Sequence, residues 1–109
     1  MIRGAVYRID LGQAKRGHEQ RGKRYGIVLS PSNSPLSVVT VIPTSTSAAP
    51  GIHRPVVEFD GRPTHALVDQ IRSIDEVYVG GIAGALTRSD MAEVEAALAH
   101  YLGLVPVPE

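Results

Sequence analysis

The segment spanning residues 12–24 concentrates side chains that can bind phosphate. Three glycines and a single apolar side chain separate its five cationic residues, which are Lys15, Arg16, Arg21, Lys23 and Arg24. Because this segment has no apolar face to bury, we expect a solvated loop. A loop with this density of positive charge attracts polyanions.

Two further polar features can contribute to a site. Glu19 and Gln20 lie among the cations, and a Ser/Thr run over residues 44–47 follows an apolar segment and Pro43. A carboxylate in a cationic loop is a counter-charge or a proton acceptor. The Thr44 hydroxyl is either a turn group bonded to backbone or a donor to a ligand. The residue pattern leaves these alternatives open.

The sequence lacks the motifs that are typical of several other classes of functional site. The 109 residues include no cysteine, which excludes disulfides, thiolate zinc sites and a cysteine nucleophile, and is compatible with a reducing cytosol. No phosphate-binding loop or nucleophile elbow is present, and the four histidines lack a spacing that would pair them on one helix face. We expect neither a metal nor another cofactor. With no signal peptide or membrane-spanning run, we expect a cytoplasmic protein that does not bind membranes.

The formal net charge is zero, yet the charges are segregated along the chain. Residues 1–24 hold seven cations and two carboxylates, a net +5, whereas residues 67–109 hold two cations and seven carboxylates, a net −5. The basic segment can meet a polyanion and the acidic segment a basic partner. Alternatively, the two ends attract each other within the fold or across a dimer.

The hydrophobic pattern predicts short strands followed by one helix. We expect strands over residues 5–10, 25–30, 37–42 and 53–59, an extended stretch over 66–74 and a last strand region over 77–86. Pro43 is expected to end the third strand, and Pro55 to place the fourth at a sheet edge. Thr87 and Asp90 have the spacing of a capping box, and apolar residues at helical spacing follow from Met91 to Leu102. Gly103 is expected to stop the helix.

These elements favour a mainly β protein with one helix. Short consecutive strands predict a small closed or half-closed barrel of SH3-like or OB-like size, with the C-terminal helix packed across it. We expect one domain over residues 1–103 and a tail over 104–109. Neither type of barrel indicates a particular activity.

Several segments in a fixed order resemble the MazF/PemK/Kid family of toxins from bacterial toxin–antitoxin modules. The segments are Arg3-Gly-Ala-Val-Tyr-Arg-Ile-Asp10, Gly17-His-Glu-Gln-Arg-Gly-Lys-Arg24 running into Ile27-Val-Leu-Ser-Pro31, Val41-Ile-Pro-Thr44, and Leu67-Val-Asp-Gln-Ile-Arg-Ser-Ile74. The resemblance covers roughly residues 2–103. It implies a PemK-like barrel of five to seven short strands plus a C-terminal helix.

The resemblance also implies an activity. Members of this family are sequence-specific, metal-independent endoribonucleases, or mRNA interferases, which act as homodimers on single-stranded RNA and leave 2′,3′-cyclic phosphate and 5′-OH ends. It places the catalytic arginine at Arg24 and the catalytic threonine at Thr44. The expected supporting or substrate-binding residues are Asp10, Lys15, Arg16, His18, Glu19, Gln20, Lys23 and Gln70.

The resemblance implies partners as well. A cognate antitoxin is expected to neutralise the toxin by filling its substrate groove, and promoter DNA is expected to be bound only through the antitoxin complex. Two positions depart from the family pattern, because Tyr25 stands where proline is usual and His18 where a small residue is frequent. His18 can therefore add a base contact or carry a proton.

Two readings from other functional classes remain. A CcdB-like toxin shares the fold, lacks the nuclease residues and acts by binding DNA gyrase; the absence of tryptophan from the C-terminal helix here weakens this reading. An SH3-like module could instead bind RNA phosphates through the basic loop without cutting. Mapping of RNA ends after incubation separates the three.

Overall fold

Short β-branched runs and one amphipathic segment form seven strands and a C-terminal helix. The computed structural model describes residues 1–13 and 17–105, so Lys15, Arg16 and residues 106–109 of the predicted tail lie outside it. The elements are β1 (Ala5–Asp10), β2 (Lys23–Val28), β3 (Val38–Ser45), β4 (Val56–Phe59), β5 (Arg62–Ala66), β6 (Arg72–Asp75), β7 (Val79–Ala85) and α1 (Arg88–Tyr101). Short 3₁₀ turns at Val68–Gln70 and Glu76–Tyr78 flank β6.

The strands form one curled antiparallel sheet. Its order is β4-β5-β3-β2-β1-β7, and β6 pairs with β3 outside this path. The two ends of the order approach each other, since a Cβ added at Gly84 in β7 would lie 3.3 Å from the Cβ of Phe59 in β4. The predicted mainly β, barrel-like architecture is confirmed, and β4 lies at an edge as Pro55 indicated.

Apolar residues cover both faces of the sheet. One buried cluster includes Ile27, Ile42 and Val94 of the helix, and the other includes Val28 and Val41. Neighbouring residues of β2 and β3 therefore pack into different clusters, as the alternation of strand side chains requires. The uninterrupted apolar run in β3 reflects this burial on two sides.

The helix begins and ends where the sequence indicates. The Thr87 side chain accepts a hydrogen bond from the Asp90 amide at 3.0 Å, and Gly103 follows the helix with φ +69°. Within residues 1–13 and 17–105, no helix has the length and apolar character needed to cross a bilayer.

The prediction that Pro43 ends the third strand is wrong. β3 continues to Ser45, because its neighbour along one edge changes at Pro43 from β6, where Val41 pairs with Arg72, to β5, where Thr44 pairs with Ala66. The Pro43 carbonyl accepts from the Leu67 amide on this same edge. The missing N–H of the proline thus falls at the gap between two neighbours and costs no ladder hydrogen bond.

The extended stretch predicted over residues 66–74 is divided in the structure. β5 ends at Ala66, the 3₁₀ turn Val68–Gln70 follows, and β6 begins at Arg72. The Asp60–Gly61 turn joins β4 to β5, with both residues at positive φ, 52° and 72°. Two successive positive φ angles are those of the tight hairpin turn that suits twisted strands.

The Arg54–Asp69 ion pair fastens the loop before β4 to the 3₁₀ turn. Arg54 Nε and Nη2 donate to the two carboxylate oxygens of Asp69 at 3.0 and 2.9 Å. Both side chains are about three-quarters buried, with relative exposures of 26% and 28%. Hydrogen bonding to Arg54 lowers the pKa of Asp69 below its ordinary value, and the same contact raises the pKa of Arg54. The two-point geometry orients Asp69 beside Gln70.

Replacing the carboxylate of Asp69 should give a pH-dependent loss of stability. At pH 7 we expect Asp69→Asn to lower the free energy of unfolding by about 1–2 kcal/mol, because the amide keeps one acceptor and loses the charge. The pKa of Asp69 is depressed by folding, so its contribution is present above the unfolded value of about 3.9 and lost as pH falls through the folded value.

Urea denaturation of the wild type and Asp69→Asn at pH 7 and pH 3 measures this effect. The difference between the two proteins should shrink at the lower pH. Glu93→Gln, on the exposed face of α1, is the matched control and should show little difference at either pH. A destabilisation by Asp69→Asn that is equal at both pH values would contradict a role for the charge.

Candidate active site

A groove of about 1030 Å³, lined by both polar and apolar residues, runs across the strand ends of the sheet. Its walls come from β1, β2, β3, β5 and β7, from Phe59 at the end of β4, from the turns that follow β3 and β4, and from the 3₁₀ turn before β7. Among its lining residues are four cations, Arg8, Lys23, Arg24 and Arg62, and two carboxylates, Asp10 and Asp60. Because the cations outnumber the carboxylates, the groove favours an anionic ligand.

Arg24 lies on β2 and is held at one end of its guanidinium. Its backbone pairs with Ile9 of β1, and its side chain is exposed in the groove. The Nε atom donates to the Arg21 carbonyl at 2.9 Å, and no hydrogen bond from the two terminal nitrogens is found within the described part of the chain. These nitrogens therefore offer paired donors to a phosphate.

Thr44 lines the same groove from the adjacent strand. Only 5% of this residue is exposed, and its Oγ1 donates a long hydrogen bond of 3.4 Å to the Tyr25 carbonyl, next to Arg24 in the chain. Its location in β3, paired with Ala66 of β5, makes Thr44 a strand residue rather than the turn residue the sequence pattern suggested. A long hydrogen bond is weak, so the hydroxyl can be redirected to a ligand.

Tyr25, which departs from the family pattern, packs into this wall of the groove. Its ring meets Phe59 edge to face, with centroids 5.3 Å apart. An edge-to-face pair of this kind adds packing energy beyond area burial. The aromatic pair therefore fixes the backbone that connects Arg24 to the carbonyl bonded by Thr44.

The β1–β2 loop is anchored at its base. The Asp10 carboxylate accepts from the Gly12 amide at 2.9 Å, and the Leu11 amide donates to the Gly22 carbonyl at 2.9 Å. These bonds fix the residues that enter and leave the loop. Asp10 and Lys23, which are cross-strand partners, both line the groove.

Gln70 holds the loop from a different element. Its Nε2 donates to the His18 carbonyl at 3.2 Å and its Oε1 accepts from the Gln20 amide at 3.4 Å. The backbone on both sides of Glu19 is therefore tied to the 3₁₀ turn after β5. His18, Glu19, Gln20 and Gln70 do not line the groove. The roles expected of Lys15 and Arg16 fall outside the described residues.

Two groove cations were not among the residues singled out from the sequence. Arg8 is the one exposed residue between buried neighbours in β1, and Arg62 follows the Asp60–Gly61 turn at the start of β5. The alternation in β1 could have marked Arg8 as the outward residue of a buried strand. Arg62 has no local signal, because its place in the groove depends on how the hairpin folds back.

The histidines near the helix form a separate cluster. His53 Nε2 lies 2.8 Å from His100 Nδ1, and the His53 ring meets Tyr101 edge to face. Within residues 1–13 and 17–105, no group of three or more histidine or carboxylate side chains is placed to hold a metal ion. The cluster joins the helix end to the loop before β4.

The sequence matches a family of toxins. The profile of the PemK-like, MazF-like toxins of type II toxin–antitoxin systems matches residues 2–102. A protein of Mycobacterium tuberculosis H37Rv that is named as a candidate toxin is 61% identical over 105 residues. That alignment covers 95% of this chain and 99% of the relative.

Solved structures share the fold. An endoribonuclease from a mycobacterial species, in complex with its cognate antitoxin, is 24% identical with a TM-score of 0.81 over 99% of both chains. MazF from Deinococcus radiodurans is 26% identical with a TM-score of 0.78, over 94% of this chain and 96% of that one. At 24% identity, the similarity to the mycobacterial endoribonuclease establishes a shared fold and nothing more.

Removing the Gln70 amide should loosen the loop around Glu19. In Gln70→Ala we expect the backbone amide of Gln20 to exchange with solvent about two- to fivefold faster, since an ordinary hydrogen bond contributes about 1 kcal/mol and this one is long at 3.4 Å. Gln70→Glu keeps the acceptor for Gln20 and loses the donor to His18, so its effect should be intermediate. Amide exchange followed by NMR measures both.

The Leu11 amide serves as the internal control for this measurement. Its bond to Gly22 closes the base of the loop without involving Gln70, so its exchange rate should not change. Equal rates for Gln20 in the wild type and in Gln70→Ala would show that the Gln70 side chain does not hold the loop.

Proposed function

The chain belongs to the PemK-like, MazF-like toxin family of type II toxin–antitoxin systems, and we propose that it is a sequence-specific, metal-independent endoribonuclease that cleaves single-stranded RNA. The observation that carries the proposal is that Arg24 and Thr44, from adjacent strands, line one cationic groove. Arg8, Lys23 and Arg62 extend the positive surface along this groove. A single strand of RNA supplies the matching phosphates.

The chemistry of RNA explains why so few groups suffice. The ribose 2′-OH is an internal nucleophile that attacks the adjacent phosphorus, and the bond from phosphorus to the 5′ oxygen breaks. The products are a 2′,3′-cyclic phosphate and a 5′-OH end. Negative charge develops on the phosphoryl oxygens in the transition state, where preorganised donors stabilise it. In the proposal, the terminal nitrogens of Arg24 supply two donors and Thr44 Oγ1 supplies a third.

The proton transfers are assigned to the β1–β2 loop. The 2′-OH must lose a proton and the leaving 5′ oxygen must gain one. Arginine stays protonated at neutral pH and is therefore a poor base. The Glu19 carboxylate or the His18 imidazole is the proton acceptor in this scheme, although neither lines the groove, so the loop that carries them must reach the 2′-OH when RNA binds. In-line attack places the leaving oxygen on the opposite side of phosphorus, so a second group or a water returns a proton to it. Gln70 supports this role by holding the backbone around Glu19.

The proposal includes the partners that the family resemblance implies. The toxin acts as a cytoplasmic homodimer, and a cognate antitoxin inserts an acidic segment that competes with RNA for the groove cations. Promoter DNA is bound only by the toxin–antitoxin complex, through the antitoxin. Membership of a toxin family from type II toxin–antitoxin systems supports an antitoxin partner.

Loss of the Arg24 guanidinium should strongly reduce cleavage without unfolding the protein. We expect Arg24→Ala to reduce the cleavage rate by about 10²–10³, the range for removal of a transition-state donor, with an unchanged melting temperature because the side chain is exposed. Arg24→Lys keeps the charge but loses the paired donors, so it should recover only a small part of the rate. Cleavage of a labelled RNA measures all variants.

The matched control for Arg24 is Arg88→Ala. Arg88 is an exposed cation at the start of α1 and does not line the groove, so cleavage should stay at the wild-type rate. Near-wild-type cleavage by Arg24→Ala would refute the catalytic assignment. An equal loss in both arginine variants would point to bulk charge instead of a specific contact.

Chelation should leave the reaction intact. Since the 2′-OH is the nucleophile and the protein supplies the donors, we expect full activity in excess EDTA, with 2′,3′-cyclic phosphate and 5′-OH ends at discrete positions. Sequencing of the RNA ends checks this. Activity that disappears in EDTA and returns with magnesium would identify a metal-dependent nuclease. Intact RNA would favour a phosphate-binding module or, where gyrase is inhibited, a CcdB-like toxin.

A further inference from the structure

A second, smaller cavity of about 360 Å³ adjoins the groove. The two cavities share Asp10 and Tyr78. The smaller one lies between the start of the β1–β2 loop and β6, and β6 pairs only with β3 in the part of the chain that is described. Its volume is at the lower end of the range for small-molecule pockets, about 300–1,000 Å³. A group that leaves the groove past Tyr78 therefore enters a defined space.

The lining of this cavity combines an aromatic face with an apolar base. Tyr78 is the last residue of an exposed 3₁₀ turn and is itself 54% exposed, and the cavity is also lined by Ile74, at 6% exposure, and the half-buried Leu11. An exposed tyrosine ring beside a nucleic-acid groove is a stacking platform for an unpaired base. The cavity thus has the volume and the aromatic and apolar surface for a flat heterocycle.

The polar groups of the cavity are an arginine and a carboxylate with one engaged oxygen. Asp75 Oδ1 accepts from the Val77 amide at 3.0 Å, which caps the 3₁₀ turn carrying Tyr78. Within the described residues, Asp75 Oδ2 has no hydrogen-bond partner, and the exposed Arg72 side chain makes no ion pair. The cavity therefore offers both a carboxylate acceptor and guanidinium donors.

The charge of the cavity differs in sign from that of the groove. Arg72 faces two carboxylates, Asp10 and Asp75, whereas cations outnumber carboxylates in the groove by four to two. A phosphate in the cavity would meet net negative charge. A neutral base that donates N–H groups to a carboxylate suits it better.

We propose that this cavity is a guanine-binding subsite for the RNA strand held in the groove, an inference that rests on the proposed function. Guanine presents two acceptors, O6 and N7, and two donor groups, N1–H and N2–H₂, on neighbouring edges. In the subsite Arg72 donates to O6 and N7, Asp75 Oδ2 accepts from N1 and N2, and Tyr78 stacks on the ring. Adenine, cytosine and uracil each lack part of this set.

The cleavage pattern tests the subsite. RNA-end sequencing with the wild type should show guanine enriched at one fixed position relative to the cut. For a short RNA with guanine at that position, replacement by inosine, which lacks the N2 amino group, or by 7-deazaguanine, which lacks N7, should lower the cleavage rate about tenfold each. Replacement at a neighbouring position should have no such effect.

The variant Asp75→Asn separates recognition of the base from the capping of the 3₁₀ turn. Asp75→Asn keeps an oxygen that can accept from Val77 and cap the turn, but places an amide N–H₂ against the base donors. We expect the ratio of kcat/KM for the guanine RNA to that for the adenine RNA to fall about tenfold or more, with an unchanged melting temperature. Glu93→Gln, an exposed carboxylate on α1, is the control and should keep the ratio.

The outcomes distinguish this inference from the proposed function. Cleavage without guanine enrichment, or an unchanged ratio in Asp75→Asn, overturns the subsite and leaves the nuclease standing. If no RNA is cleaved, the nuclease proposal fails, and NMR titration with the four nucleoside monophosphates then decides the subsite. GMP alone should shift the Ile74 and Tyr78 amides; equal shifts by all four, or none, overturn the assignment.

Discussion

The pairing of β3 along both of its edges is the constraint on which the site depends. Buried backbone groups must be hydrogen bonded, and β3 meets this demand with β2 on one edge and with β6 followed by β5 on the other. The change of neighbour allows Pro43 within the strand and extends the strand to Ser45. Thr44 is consequently held by β5 against the Tyr25 carbonyl, one residue from Arg24.

The sequence pattern predicted the elements whose boundaries depend on residues close to them in the chain. β1 and α1 match the expected boundaries to within a residue, since alternation defines the strand and a capping threonine and a left-handed glycine define the helix ends. The end of β3 and the division of residues 66–74 were not predicted. Both depend on which strand lies alongside Pro43, and that neighbour is more than 20 residues away in the sequence.

Some residues of the candidate site were likewise predicted from the sequence, and others were not. Arg24 and Thr44 were identified by resemblance, because their residue types alone indicate a surface cation and a turn hydroxyl. The sheet register then explains why they share a groove. Arg8 and Arg62 come from strands that no local pattern connects, so no sequence signal groups them with Arg24. The supporting role of Gln70 is visible only in the structure, from its two hydrogen bonds with the loop backbone.

The fold redistributes charges that the sequence segregates. The groove combines cations of the basic N-terminal segment with Arg62 from the neutral middle, whereas the cavity beside β6 joins Asp10 from the basic segment to Arg72 and Asp75 from the acidic one.

A chain of zero net charge has little long-range attraction for a polyanion, because salt screens charges beyond about 8 Å. Affinity for a phosphate backbone must therefore come from cations that face it directly, and the groove supplies them. The adjacent cavity, with carboxylates in excess, disfavours phosphate, so in the proposed complex its donors and acceptors contact a base. The proposal thus separates backbone binding from base recognition by the sign of the local charge, with Asp10 and Tyr78 at the boundary.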